Sequence, residues 1–213
     1  AHSVRVSAHY GFERRGEERY DLRVMARSSR MEFLQHFLLG KPLERNGQDS
    51  VTVLLSRSLP AGGGRLVLGL DGEYASGFLK QTQDGPTTGG SAAANAIRPA
   101  GKQYDYEVAS LLAASYLQWV RPLGQRLELT AGLRLERLEY DYDNRMLDGN
   151  TDQNGVACGF GGCLYARPAD REDAFTNAGP RLSLAWRVDP ASTAWLGLSR
   201  GFRPPEATEL YRL

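Results

Sequence analysis

The sequence predicts an all-β chain, an antiparallel up-and-down meander forming part of a transmembrane β-barrel. Three observations carry this: period-2 alternation of apolar and polar residues, connections that alternate between short and long, and aromatic residues near the proposed strand ends. Alternation means that each strand has one greasy and one wet face. A soluble sandwich would bury the greasy face against a second sheet. A membrane barrel would turn it to lipid and line its lumen with the wet face. The rhythm of the connections chooses the barrel, whose inner turns are short and outer loops long.

Eight strands are predicted, roughly 2–13, 19–30, 51–58, 65–79, 104–120, 127–140, 176–188 and 193–203. In the first, Val4, Val6, Ala8, Tyr10 and Phe12 share a face opposite Ser3, Arg5, Ser7, His9 and Gly11. In the sixth, Leu127, Leu129, Ala131, Leu133 and Leu135 oppose Glu128, Thr130, Gly132, Arg134 and Glu136. In the seventh, Leu182, Leu184 and Trp186 oppose Arg181, Ser183 and Arg187. Short turns are expected at 14–18, 59–64, 121–125 and 189–192, and outer loops at 40–50, 81–103 and 141–175. Residues 31–40 have mixed spacing and are expected to extend the second strand above the membrane. In the fifth strand the greasy parity changes from Tyr104, Tyr106 and Val108 to Leu111, Ala113, Leu117 and Trp119, which predicts a β-bulge near Ser110. Trp119, Tyr140, Trp186 and Trp195 are the candidate interfacial girdle.

Composition narrows the function classes. The 26 Lys and Arg nearly balance the 25 Asp and Glu, which argues against a nucleic-acid-binding surface. No stretch reaches the roughly 18 apolar residues of a membrane-spanning helix. The opening "AHSVRVSAHY" has no Met and no signal-peptide pattern, so the sequence is expected to be a piece of a longer product. No nucleophile–base constellation or phosphate loop is visible, and His2, His9 and His36 have no ligand spacing. Among the polar-face residues, Arg5, Arg23, Arg134, Arg181 and Arg187 are expected to pair with carboxylates such as Asp21, Asp71, Glu73, Glu128 and Glu136.

Cys158 and Cys163, in "CGFGGC", sit too close and lack the ligands for a four-ligand zinc site. In an outer loop they are expected to form a stapling disulfide, with free thiols or metal binding as alternatives. "DGNTDQNG" resembles the front of a calcium loop at Asn150, Asp152, Asn154 and Gly155, but Gly161 stands where the bidentate Glu belongs. A solvated turn-rich loop is the simpler reading. Asp148 and Asp152, with Asp141 and Asp143, remain weak calcium candidates, and no other metal site or cofactor is expected.

The stretch "SRGFRPPEATELY" resembles the strand-to-loop motif of TonB-dependent outer-membrane receptors, on Gly201, Phe202, Arg203, Pro204, Glu209, Leu210 and Tyr211. "LELTAGLRLERLEYDYDNR" is similar to a barrel strand of that family at Gly132 and Arg134. The resemblance implies about eight strands of a barrel of about 22, with residues 1–213 a partial barrel lacking the plug domain and the terminal strands. It implies an importer of a scarce nutrient rather than an enzyme, most often of a ferric siderophore, with a haem receptor next. A passive porin and a secreted soluble β-sandwich binding module are the rivals, and an outer-membrane hydrolase is more remote. The implied partners are TonB through the plug, the ferric siderophore or haem, and outer-membrane lipid and lipopolysaccharide. Arg134, Arg181 and Arg203 are the candidate contacts with the lumen or plug. Arg203 is expected to point into the lumen or loop base, with Glu206 or Glu209 anchoring the loop.

Overall fold

The computed structural model describes residues 1–14 and 17–213. It contains one eight-stranded antiparallel sheet in sequence order. The strands are β1 (His2–Arg14), β2 (Glu18–Leu34), β3 (Leu43–Ala61), β4 (Gly64–Gln83), β5 (Gly101–Leu123), β6 (Leu127–Asn144), β7 (Arg171–Arg187) and β8 (Thr193–Ser199). Two five-residue helices, α1 (Ala92–Ala96) and α2 (Ala207–Tyr211), lie in the connections. β6 pairs with both β5 and β7, as a meander requires. No second sheet covers either face among the described residues, which sets the soluble sandwich aside.

The connections alternate as expected. Gly62 and Gly63 join β3 to β4 with φ of 57° and 72°, a two-residue hairpin turn that only glycine makes without strain. β5–β6 and β7–β8 are also joined by short turns. The expected turn at 14–18 includes residues 15 and 16, which lie outside the described residues. The long connections, 35–42, 84–100 and 145–170, all emerge at the opposite end.

Residues directly paired across strands share a face. Rungs such as Tyr10–Leu22–Leu55–Leu70 and Leu117–Leu133–Pro180 therefore fix one apolar outer face. Leu129, Leu133, Leu182 and Leu184 lie on it, while Arg134, Arg181 and Ser183 lie on the other. Leu182 is 52% exposed and Leu198 76%, as befits a surface that has no protein to cover it. The outer apolar rows run over Leu66–Tyr74, Leu111–Trp119 and Leu127–Leu135, nine residues each. That is close to the roughly 9–11 residues needed to span a bilayer.

Above this band the outer face becomes charged. Arg30–Asp49 (2.6 Å), Arg45–Glu32 (2.7 Å) and Arg145–Glu107 (2.6 Å) form ion pairs there. Such exposed pairs contribute about 0–1 kcal/mol each, so they mark where water begins rather than hold the sheet together.

The ladder runs without a break through Ser110, paired with Ala75 and Tyr140, so no bulge occurs there. The irregularity falls at Gln103, between the Gln81–Tyr104 and Thr82–Lys102 pairs. The greasy parity of β5 changes for a different reason. Within the bilayer the outer side meets lipid, while above it the outer side meets water and the inner side meets loops. Tyr104, Tyr106 and Val108 consequently point inward and are buried. The outer loop expected at 40–50 is strand from Leu43, because the charged residues there extend the ladder above the band. Tyr140 packs inward, and Trp195 shares the inner parity of Ala185, so neither belongs to the girdle. Trp119 and Trp186 remain, joined near the short-turn end by Phe12 and Tyr20, whose rings stack at 4.7 Å. The segment "SAAANA", read as part of a loop, contains α1, with the Ser91 hydroxyl accepting from the Ala94 N–H at 3.2 Å.

Candidate functional site

The concave face is built in two tiers. The lower tier lies at the height of the apolar band. It holds a cavity of about 680 Å³ reaching from Arg23 on β2 to Arg181 on β7, with Asp71, Tyr116 and Arg134 between. Arg134 ion-pairs with Asp71 and, at 3.0 Å, with Glu136. Asp21 accepts from His9 (2.6 Å) and Arg19 (3.0 Å), and Glu73 accepts from the Thr52 hydroxyl (2.9 Å). The arginine–carboxylate pairing read from the sequence thus holds for Arg134. Arg23, Arg181 and Arg187 form no ion pair among the described residues and leave the wall cationic. Tyr116 lies flat across Gly69, where even a Cβ would run into the ring. Gly132 and Gly179, opposite arginines in the register, keep the wall low beside them.

The upper tier is aromatic. Its core contains Tyr104, Tyr106, Tyr142, Tyr165, Tyr211, Leu79 and the two cysteines, all buried. α2 folds back over the sheet and inserts Tyr211, which is fully buried. Its ring stacks on Tyr142 at 4.2 Å, and its hydroxyl donates to Asp173 at 2.9 Å. The next residue, Arg212, bridges Glu44 of β3 at 2.9 Å and donates to Gln81 of β4 at 2.6 Å. Two consecutive side chains thus tie β3 to β7 across the concave face.

The sequence motif around Arg203 takes shape here. After Ser199 one further ladder bond, Arg200 N–H to Pro180 C=O at 3.1 Å, closes the strand. Pro204 and Pro205 have no N–H with which to extend it. Arg203 is exposed and bonds Glu209 at 2.9 Å and Glu206 at 3.3 Å. Glu209 also accepts from the Glu206 N–H at 2.8 Å, completing the first turn of α2. Arg203 holds the Glu209 carboxyl below the usual carboxylate range. Leu210 packs against the aromatic core, and Gly201 and Phe202 are exposed. Arg134 and Arg181 meet at the cavity wall, whereas Arg203 belongs to the loop base.

Loop 145–170 packs on the same core. Cys158 and Cys163 are bonded, with Cα atoms 4.5 Å apart, and they present a fully exposed Phe160 at the tip. Asp152 accepts from the N–H groups of Asn154 and Val156, both at 2.8 Å. These bonds, the one from Val156 foremost, hold its pKa below the usual carboxylate value, and they engage the carboxylate that calcium would need. Asp148 is exposed, and no group of three potential metal ligands occurs among the described residues. Sequence reasoning missed Arg167. It is 2% exposed, and all five of its side-chain hydrogen bonds go to neutral oxygens on Leu147, Gln103, Thr151 and Asp152. Nothing in "YARPAD" distinguishes it from a solvated loop arginine.

A single antiparallel sheet with an apolar outer band, a polar concave face and long loops gathered over an aromatic mouth defines a section of transmembrane β-barrel wall. Residues 2–212 match the family described as TonB dependent receptor-like, beta-barrel, and the chain belongs to that family. Among solved structures, the copper transporter OprC is similar to it in fold, with a TM-score of 0.61 at 14% identity. The match covers 92% of this chain and 30% of that one, so this chain spans less than a third of its length. None of the curated proteins compared with it matches.

Proposed function

We propose that this chain is part of the barrel wall of an outer-membrane receptor that imports a scarce nutrient with energy delivered by TonB. Residues 1–213 are its partial barrel, and a plug domain elsewhere in the protein is the TonB partner. The observation that carries the reading is the pairing of an apolar outer band with a cationic, hydrogen-bonding concave face over one continuous sheet. Such a wall faces lipid on one side and a lumen on the other. The most favoured cargo is a ferric siderophore, and haem is the alternative. Membership of a receptor family favours transport rather than catalysis. Copper enters through the name of the similar structure, but at that identity the likeness speaks for fold alone.

The mechanism follows from the two tiers. The mouth holds aromatic rings packed beneath α2 and loop 145–170, and the lower wall offers arginines. Arg23 and Arg181 supply charge that an anionic cargo, or carboxylates of a plug, would neutralise. The test is uptake of radiolabelled ferric siderophores, haem and copper by cells with and without the complete gene, each in a TonB-competent and a TonB-deficient strain. Iron-siderophore uptake that needs both the gene and TonB supports the reading. TonB-independent diffusion would favour a passive porin, and uptake of haem or copper alone would reassign the cargo.

A further inference from the structure

Tyr211 and Arg212 fill a site at the outer mouth whose other walls come from β3, β5, β6 and β7. The site lies between two carboxylates, Glu44 on β3 and Asp173 on β7, and its floor is made by Tyr104, Tyr140 and Tyr142. The phenol of Tyr211 stacks on Tyr142 at 4.2 Å, meets Tyr140 edge-on at 6.3 Å and donates to Asp173 at 2.9 Å. The guanidinium of Arg212 bonds Glu44 at 2.9 Å and sits 5.7 Å from the centre of the Tyr104 ring. An aromatic floor flanked by carboxylates suits a phenol and a cation held about one residue apart.

Two further observations point to a ligand rather than to a finished core. The Tyr142 hydroxyl, on a residue only 1% exposed, has no hydrogen-bond partner among the described residues. The same holds for the Gln35 carbonyl oxygen, although its amide donates to Glu44 at 2.6 Å. Buried polar atoms are nearly always satisfied, so two orphans beside one occupant mark hydrogen-bonding capacity that the resident pair leaves unused. The occupant is carried on a short helix with an irregular lead-in. α2 has five residues, too few to be stable alone, and residues 201–206 leading to it form no strand or helix.

We infer that the space beneath α2 is a ligand subsite for a molecule carrying a phenol-type ring next to a cationic group, with Tyr211 and Arg212 as its resident stand-ins. Ligand entry then requires the pair to leave, which frees the strap between β3 and β7 as the site fills. The inference rests on the placement of this end of the sheet at the outer mouth, as proposed above.

The experiment uses the complete receptor in lipid nanodiscs and N-acetyl-tyrosyl-arginine amide as the probe. A resident that fills the site most of the time lowers apparent affinity by the open fraction. The double variant Tyr211→Ala, Arg212→Ala should therefore bind the probe about tenfold or more tighter than the native protein. Adding Glu44→Gln should remove most of that gain. Equal binding by native and opened proteins, or no effect of Glu44→Gln, overturns the inference. If the opened variant fails to assemble, the native protein decides. Hydrogen exchange at Leu210–Arg212 should accelerate with saturating probe, and unchanged exchange overturns the inference. Binding is measured without TonB or uptake, so failure of the transport reading and failure of this one are told apart.

Discussion

Replacing Arg167 with alanine should loosen loop 145–170 while leaving the barrel intact. The guanidinium is buried and donates to the main-chain carbonyls of Leu147 (2.7 Å), Gln103 (3.1 Å), Thr151 (2.8 Å) and Asp152 (3.3 Å). It therefore joins both ends of the loop to the bulge of β5. Hydrogen bonds from a charged donor contribute roughly 1.5–3 kcal/mol each, but water entering the vacated space restores part of that. A net loss of about 3 kcal/mol in local stability follows, equivalent to about a hundredfold loss of protection. The assay is hydrogen exchange by mass spectrometry on the complete receptor, comparing peptides of 145–170 with those of β4 and β6. Arg167→Lys should rescue little, because an ammonium cannot span carbonyls on four residues with a planar fork. Exchange in the loop altered by less than about threefold, or equally altered in loop and strands, would refute the reasoning.

Other outcomes follow from the same geometry. Gly69→Ala should displace the Tyr116 ring and reduce the fraction of heat-modifiable, folded barrel, at a cost of about 1–3 kcal/mol; an unchanged folded fraction would show that the ring moves freely. Peptide mass spectrometry without reductant should find the 158–163 segment two hydrogens lighter than its dithiol form, and free thiols would refute the staple. The Asp152 turn should respond to acid in one direction only. Its folded pKa is lowered by the Val156 and Asn154 N–H groups, so its stabilisation is present above the ordinary carboxylate pKa and lost as pH falls through the folded one. Exchange at Val156, corrected for intrinsic pH dependence, should stay constant from pH 7 to about 4 and rise below; a rise above pH 5 would contradict this.

The sheet was legible because lipid imposes a strict rule. Where one face must be apolar, period-2 alternation appears, as in Leu127–Leu135, and the register follows from the turns. Above the bilayer that rule lapses, and there the reading failed. The charged residues of 43–50 resemble a loop, though they alternate between a watered outer face and a packed inner one. Tyr104, Tyr106 and Tyr140 look like lipid-facing or girdle residues, though they floor the mouth. The upper site was half legible. The motif from Gly201 to Tyr211 marked the place, but its partners Glu44, Tyr142 and Asp173 come from three distant strands. No local signal connects them. Arg167 was invisible for the same reason, since its partners are main-chain carbonyls and carry no sequence signature.

The sheet has two opposite faces, and neighbouring positions on β7 test them together. Single-cysteine spin labels at Leu182 and at Arg181, in the complete receptor in lipid bilayers, leave every ion pair described here untouched. The label at 182 should be relaxed strongly by dissolved oxygen and weakly by a water-soluble nickel chelate, and the label at 181 should show the reverse. Equal accessibility at both positions, or chelate contact at 182, would contradict a wall with lipid on one side and a lumen on the other.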